Sequence, residues 1–437
     1  MNPILALLTT LALWLLLATP AVHAQGSAMQ SWQRAHDQAQ QAYAAGDLAA
    51  AEPAAREALR QARAGQGGNQ SFVASSLNLL ALVRQRQGQV VEAVALLKEA
   101  LALSEAAADP AATAALALNL GNALEAVDDG EAALAAWQRS AAIAEGLAAE
   151  APVRAQVWSA LARAHAQRGE TVPAARYNQR LLEDRVALGP ALKAEALERQ
   201  AQLDGGPAAR AALEQALALR EQDVSSDGQA WLRTLSALAA MLAREGDHDA
   251  AARLHGRAAD LLETVAPQAA ALAGHLNELG LWHLQRREYA AALQTLERAL
   301  AIVAQRAANS LETARITANL AQLHEAQGNG VTARTLYARA LAIYETHGDG
   351  SEALLGQAQA LNFLAGQDYR QRRLASAEAR FARALALTEQ AAGMQSPRLL
   401  PLLDNLATLY RSQQREGQAR AHAERAEWLR SQRVAPP

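Results

Sequence analysis

The sequence predicts an all-α fold, a solenoid of about ten helical hairpins, on three observations. Alanine is abundant while Phe, Trp and Tyr make up only 4% of the 437 residues, which favours helices and close helix contacts over sheets. The stretch Thr317–Tyr344 reads as two amphipathic helices joined by a turn. A pair of small residues, seven apart, then returns at near-constant spacing along the chain.

In the Thr317–Tyr344 stretch and just before it, Ile316, Leu320 and Leu323 recur at helical spacing, with Ala321 small enough to admit a neighbouring helix. Gly328 suits a helix end that needs a positive φ, and Asn329 is expected to cap the next helix by accepting a bond from a free backbone N–H. Ala333, Leu336, Tyr337, Ala340, Leu341 and Tyr344 form a broad stripe on the second helix. Such a hairpin cannot cover its own stripe and needs neighbours of the same kind.

At the chain start, Pro3 to Pro20 is apolar and uncharged, and Val22-His23-Ala24 precedes the polar Gln25-Gly26-Ser27. Residues 1–24 therefore read as a signal peptide cleaved after Ala24, giving a periplasmic or secreted protein with no stable membrane span. The n-region has neither Lys nor Arg, and about 18 apolar residues approach a bilayer's thickness, so the alternative is a membrane anchor through an uncleaved signal. The absence of cysteine excludes disulfides, thiolate metal sites and a lipidated cysteine. A formal net charge of −3 gives no bulk attraction to nucleic acid. Only Lys98 and Lys193 among the 41 basic residues are lysine, which fits a GC-rich bacterial genome.

The small-residue pairs are Ala51 and Ala58, Ala93 and Ala100, Ala133 and Ser140, Ala174 with the larger Leu181, and Ala209 and Ala216. They continue as Ala251 and Ala258, Ala292 and Ala299, Ala333 and Ala340, Ala377 and Ala384, and Ala419 and Ala426. Successive first members lie 42, 40, 41, 35, 42, 41, 41, 44 and 42 residues apart, which makes ten repeats. They are expected around 31–63, 74–104, 113–146, 155–186, 191–221, 230–264, 271–304, 313–346, 354–390 and 399–430, within an array 25–430 followed by a tail 431–437. Gly46, Gly88, Gly169, Gly246 and Gly328 stand five residues before the first small residue, with Asp47, Asp247 and Asn329 as expected caps.

The first-helix segments Leu77-Asn78-Leu79-Leu80-Ala81, Leu276-Asn277-Glu278-Leu279-Gly280, Leu361-Asn362-Phe363-Leu364-Ala365 and Leu403-Asp404-Asn405-Leu406-Ala407 approximate an LNNLA pattern, and Ala51-Glu52-Pro53 matches an AEP often found in second helices. On these residues the chain resembles a tetratricopeptide repeat (TPR) array of the long-period, kinesin-light-chain-like kind, of the bacterial exported type, over roughly residues 31–430. The resemblance implies a right-handed α-α superhelix. The first helices near Trp158 to His165 and Leu192 to Gln202 lack the Asn pattern, and the groove there is expected to be irregular.

Loop signals separate the hairpins at Gly65 to Gln70, Asp109-Pro110, Gly189-Pro190, Ser225 to Gly228, Gly348 to Ser351 and Gly393 to Pro397. The segment Gly65 to Asn69 lacks the Lys-Ser/Thr of a phosphate loop and follows no predicted strand. His248 with His255 and His275 with His283 are spaced about two helical turns apart, too far to share one zinc. No HExxH or GxSxG occurs, so the sequence reads as a non-enzyme without catalytic residues, metal or cofactor.

Stacked first helices would line the concave face of such an array. Asn78, Asn277 and Asn362 fall three before the small residue, Asn119, Asn319 and Asn405 two before, and Asn122 just after Gly121. An amide donates and accepts, so it can hold the backbone of an extended peptide, and the resemblance implies peptide contacts at such asparagines. The competing reading is that these amides bond between adjacent helices. From Asp368 onward there are 12 Arg against 7 Asp and Glu, a balance of +5 that reads first as an Arg-rich solvated face and, as the functional alternative, as a surface drawing an acidic partner segment or an anionic envelope surface towards the last two repeats, with Arg370 and Arg411 at groove-compatible positions. The expected function is a non-catalytic exported scaffold binding peptides or helices of other proteins in the concave groove. The alternative is a regulatory sensor arm that controls a separate effector enzyme.

Overall fold

The computed structural model describes residues 26–64, 70–184, 188–223 and 228–432. The leader 1–24, the Gly65–Asn69 connection, most of the Ser225–Gly228 loop and the tail from 433 lie outside the described residues. Among the described residues there are twenty α-helices, two short 3-10 helices and no strand, so the fold is an all-α helical repeat.

The chain divides into two compact units, Met1–Trp231 and Leu232–Pro437. The first holds five hairpins: α1 (Gly26–Ala44) with α2 (Leu48–Ala64), α3 (Gln70–Arg86) with α4 (Val90–Ala106), α5 (Pro110–Glu125) with α6 (Gly130–Ala144), α7 (Pro152–Gln167) with α8 (Thr171–Glu183), and α9 (Pro190–Asp204) with α10 (Gly206–Arg220). The second begins within α11 (Gly228–Glu245), which precedes α12 (His248–Val265). It continues with α13 (Ala270–Gln285) and α14 (Tyr289–Ala307), α15 (Leu311–Ala326) and α16 (Gly330–Glu345), α17 (Ser351–Arg370) and α18 (Leu374–Ala392), and α19 (Leu400–Ser412) and α20 (Glu416–Gln432).

The small-residue pairs explain why these helices can stack. All ten pairs sit on second helices, and each of their twenty residues is at most 4% exposed, including Ser140 and the larger Leu181. A side chain of one carbon lets the neighbouring helix approach at close-packed distance, while Leu97, Leu161, Leu296 and Leu323 fill the spaces between. Ser140 keeps its hydroxyl satisfied by donating to the Ala114 carbonyl at 2.7 Å.

The turn between the two helices of a hairpin has one design. The residue five before the first small residue takes a positive φ in nine hairpins: Gly46, Gly88, Gly169, Gly246 and Gly328, and equally Asp128, Arg287, Arg372 and Gln414. The N–H of the next residue then reaches back to the carbonyl five residues earlier, as in Asp47 to Ala42 at 2.9 Å, Asn329 to His324 at 2.8 Å and Arg415 to Tyr410 at 2.9 Å, which is the Schellman closure. That same residue accepts from the N–H of the small alanine, as Asp47 does from Ala51 at 2.9 Å, so turn and stacking surface are locked in register. The Asp47 and Asp247 side chains cap as expected, accepting from Ala50 at 3.0 Å and Ala250 at 3.1 Å. Asn329 does not: its amide donates to Gln327 Oε1 at 3.2 Å and accepts no cap bond, a correction to the sequence reading. The fifth hairpin departs, with Gly205 alone between α9 and α10 and positive φ at both Gly205 and Gly206, which together with the short α8 of 13 residues contributes to the spacing of 35.

A non-glycine residue in the left-handed region is strained by roughly 1 kcal/mol. Arg372 is exposed and forms no ion pair among the described residues, so Arg372→Gly removes the strain with nothing else to lose. It should raise stability by about 0.5 kcal/mol once the extra freedom of the unfolded glycine is counted. Gly328→Ala, which has open space around its Cβ, should lower stability by about 1 kcal/mol through φ alone. Denaturant midpoints of the two variants check the pair.

Candidate protein-binding face

In each unit the first helices of successive hairpins approach one another: α1 with α3, α3 with α5 and α5 with α7 in the first, α13 with α15, α15 with α17 and α17 with α19 in the second. Second helices of successive hairpins show no comparable approach among the described residues. The first helices thus form an inner row and the second helices an outer one. All nine polar residues singled out in the sequence lie on the inner row.

Six of the asparagines form three pairs. Asn119 Nδ2 donates to Asn78 Oδ1 at 2.9 Å, Asn319 to Asn277 at 2.7 Å, and Asn405 to Asn362 at 2.8 Å. The earlier member stands ten residues before its left-handed turn residue and the later one nine before, so one residue of offset brings the two amides together across adjacent helices. Asn277 has no exposed surface, and its Nδ2 also donates to Glu278 Oε1 at 3.1 Å. Asn119 and Asn319 are buried, whereas Asn78, Asn362 and Asn405 are half-buried. Each pair uses one donor hydrogen and one acceptor lone pair of its amides, which leaves the half-buried members with hydrogen-bonding capacity towards solvent. Asn122 is half-buried and accepts from Trp137 Nε1 at 3.0 Å.

Arg370 and Arg411, in the last turns of α17 and α19, are exposed. Most arginines from residue 368 onward are engaged: Arg373 and Arg380 with Asp368, Arg383 with Glu345, Arg415 with Glu378, Arg420 with Glu424, Arg425 with Glu389 and Arg430 with Asp404. Among the described residues Arg370 and Arg411 stand with Arg372 and Arg398 as the guanidiniums of this region outside an ion pair. Arg370 is close enough to Glu325 to favour its charged form, although burial dominates and raises the Glu325 carboxyl above its usual range. Tyr337, which hydrogen-bonds Glu325, is raised as well, first by burial and then by that carboxylate.

Sequence reasoning missed two groupings. Between α12 and α13, His255 Nδ1 and His275 Nδ1 lie 2.9 Å apart, a separation of twenty residues that no single-helix pattern displays. In the first unit, Arg163, Glu195, Glu198 and Arg199 gather where the Asn pattern lapses.

The histidine pair makes the second unit acid-sensitive. Burial, and then His255, lower the His275 imidazole to about 4 against the pull of Glu278, and burial lowers His255 too. The unfolded imidazole binds its proton near pH 6.5 while the folded one does not. The stabilisation is therefore complete above pH 6.5 and is lost as pH falls towards 4, by roughly 1–3 kcal/mol. Melting temperatures from pH 7.5 to 4.5 should fall less for His275→Gln than for the wild type, whose curve should bend below about pH 6.5.

Tetratricopeptide repeat family models match residues 73–110 in the first unit and 271–346 in the second. No curated protein sequence matches the chain. Among solved structures, the chain is similar to BtubC (BKLC) from P. vanneervenii at 23% identity, over 55% of this chain and 94% of that one, with a TM-score of 0.44. It is also similar to the C-terminal part of a TPR repeat-containing protein from Cytophaga hutchinsonii (13% identity, 61% and 93% covered, TM-score 0.40) and to aspartyl phosphate phosphatase F from Bacillus subtilis (14%, 94% and 96%, TM-score 0.41). With a matching segment in each unit, and with the same small-residue stacking and turn closure running through hairpin after hairpin, the chain carries tetratricopeptide repeats in both units.

Proposed function

We propose that the protein is an exported, non-catalytic scaffold that holds peptides or helices of other proteins against its first-helix row. Binding other proteins is the role the repeats imply. The observation that carries the finer reading is the inner row of the second unit, where half-buried Asn362 and Asn405 keep amide capacity beside the exposed Arg370 and Arg411. Amides suit any extended backbone, and two guanidiniums outside ion pairs favour an acidic segment. Asn277, fully covered, serves in this reading as a brace between α13 and α15. The apolar stretch at 3–20 supports export, to the periplasm or beyond. No helix among the described residues is long and apolar enough to cross a membrane.

The test is comparative. Partners captured by the wild-type protein from a periplasmic extract are titrated against Asn362→Ser/Asn405→Ser and Arg370→Gln/Arg411→Gln, with helicity checked by circular dichroism. Each double variant should weaken the partner at least about tenfold, the loss of one or two hydrogen bonds, and added salt should act mainly through the arginines. Unchanged affinity in both would move the interface off this row. The mature protein should begin at Gln25, and an intact mass that includes residues 1–24 in the membrane fraction would favour the anchored alternative.

A further inference from the structure

Where the Asn pattern lapses, α7 and α9 lack the close approach of the other first helices in the first unit, and the gap is a pocket of about 380 Å³. It is lined by Arg163, Gln167, Glu195, Glu198, Arg199 and Gln202, with Ala166 as its one apolar residue. Two of its charges are neutralised by neighbours: Arg163 pairs with Glu125 at 2.8 Å, and Glu198 with Arg220 at 2.6 Å. Glu195 and Arg199 remain, one helical turn apart on α9, and among the described residues neither forms an ion pair. Arg199 is held in place by Nη1 donating to Asn178 Oδ1 at 2.9 Å, while the Glu195 carboxylate accepts no hydrogen bond among the described residues. Both are half-buried. A carboxylate outside any ion pair and a guanidinium held only by an amide thus face one small polar pocket, each with bonding capacity left towards it.

We infer that this pocket binds a small zwitterion of the α-amino-acid type, its ammonium on Glu195, its carboxylate on Arg199 and a polar side chain towards the Gln167 and Gln202 amides. A lone cation would meet Arg163 and Arg199, a lone anion would meet Glu195 and Glu198, and an apolar ligand would find only Ala166. A ligand carrying both charges on groups bonded to one carbon supplies Glu195 and Arg199 each with an oppositely charged partner. The volume lies at the lower end for small-molecule sites. The local electrostatics agree. Burial raises the Glu195 carboxyl above its usual range, with Glu198 adding to the rise and Arg220, Arg199 and Arg163 opposing it, and burial lowers the Arg199 guanidinium. A bound zwitterion would relieve both penalties.

The inference goes beyond scaffolding and stands on different residues, so its failure leaves the protein-binding reading untouched. The test is calorimetric titration of the full chain with L-glutamine, L-arginine, L-glutamate and L-leucine, each to about 10 mM, and with N-acetyl-L-glutamine amide, which lacks both charges. At least one polar amino acid should bind with one-to-one stoichiometry, more tightly than leucine. Glu195→Gln, which keeps the shape and removes the charge, should weaken it at least about tenfold, the loss of a charge-assisted bond, with no fall in melting temperature. Three results each overturn the inference: no binding by any of the four, undiminished binding by Glu195→Gln, or equal binding of the uncharged derivative.

Discussion

Replacing Asp368 by alanine should destabilise the second unit by about 2–4 kcal/mol, because it removes the one carboxylate that holds three helices' worth of charge together. Asp368 lies near the end of α17 with no exposed surface. Its Oδ1 accepts from Arg373 Nε at 3.0 Å and also from Arg373 Nη2, its Oδ2 accepts from Ser376 Oγ at 2.5 Å and from Arg380, and Arg334 of α16 stands 3.9 Å away. The arginines are about a third to a half exposed, so they shield the carboxylate while staying partly hydrated themselves. That moderates the loss relative to a pair in a dry core, since the abandoned guanidiniums can turn to water. Burial pushes the Asp368 carboxyl up, but the bonds from Ser376 and Arg373 and the charges of Arg380 and Arg373 outweigh it and hold the group below its usual range. A lowered carboxyl contributes stability at neutral pH that is lost only as pH falls below the ordinary aspartate value towards the folded one. Thermal unfolding of Asp368→Ala at pH 7 should show the full loss, and of Asp368→Asn a smaller one, because the amide still accepts from Arg373. Equal melting temperatures for wild type and Asp368→Ala would mean that the cluster is only surface charge.

The hairpin architecture was legible because stacking leaves a mark that chemistry cannot disguise: a helix that must approach another at close distance favours Ala, Gly or Ser there, and Ala51 to Ala426 record that preference at a period near 41, with Leu181 as the one larger residue among the twenty. The turns were half legible. Glycine announces a positive φ, but Asp128, Arg287, Arg372 and Gln414 adopt the same backbone and look like any polar surface residue, so only their distance from the small alanine could have revealed them. The asparagines were found, and bonding between adjacent helices was the competing reading, but not which amide meets which, although separations of 41, 42 and 43 residues with alternating offsets contained it. His255 with His275 and Glu195 with Arg199 were not legible, because their meeting depends on how neighbouring helices rotate and, for the latter, on the shortened fifth repeat. A one-dimensional pattern records what every repeat must do. It is silent where one repeat departs from the others.

The largest effect is expected in the third hairpin, where Gly121 on α5 and Trp137 on α6 are complementary. A Cβ on Gly121 would lie 2.4 Å from Trp137 Nε1 and 2.5 Å from Cδ1, well inside contact distance, and the indole cannot simply swing aside. It is 2% exposed, its N–H is donated to Asn122 at 3.0 Å, and the Arg163 guanidinium lies over the ring at 5.9 Å. Gly121→Ala must therefore displace the indole, which should cost roughly 1–3 kcal/mol by overpacking despite alanine's better helix propensity. Trp137→Ala should cost about 3–5 kcal/mol, from the emptied volume and the orphaned Asn122 oxygen. The two changes are in contact, so they should not add: with the ring gone, the extra methyl has room, and Gly121→Ala should become neutral or slightly stabilising in the Trp137→Ala background. A double-mutant cycle on denaturant midpoints measures this coupling, and hydrogen exchange should place the loss of protection first in α5, α6 and the helices touching them. Additive penalties would show that the glycine is not there for the tryptophan.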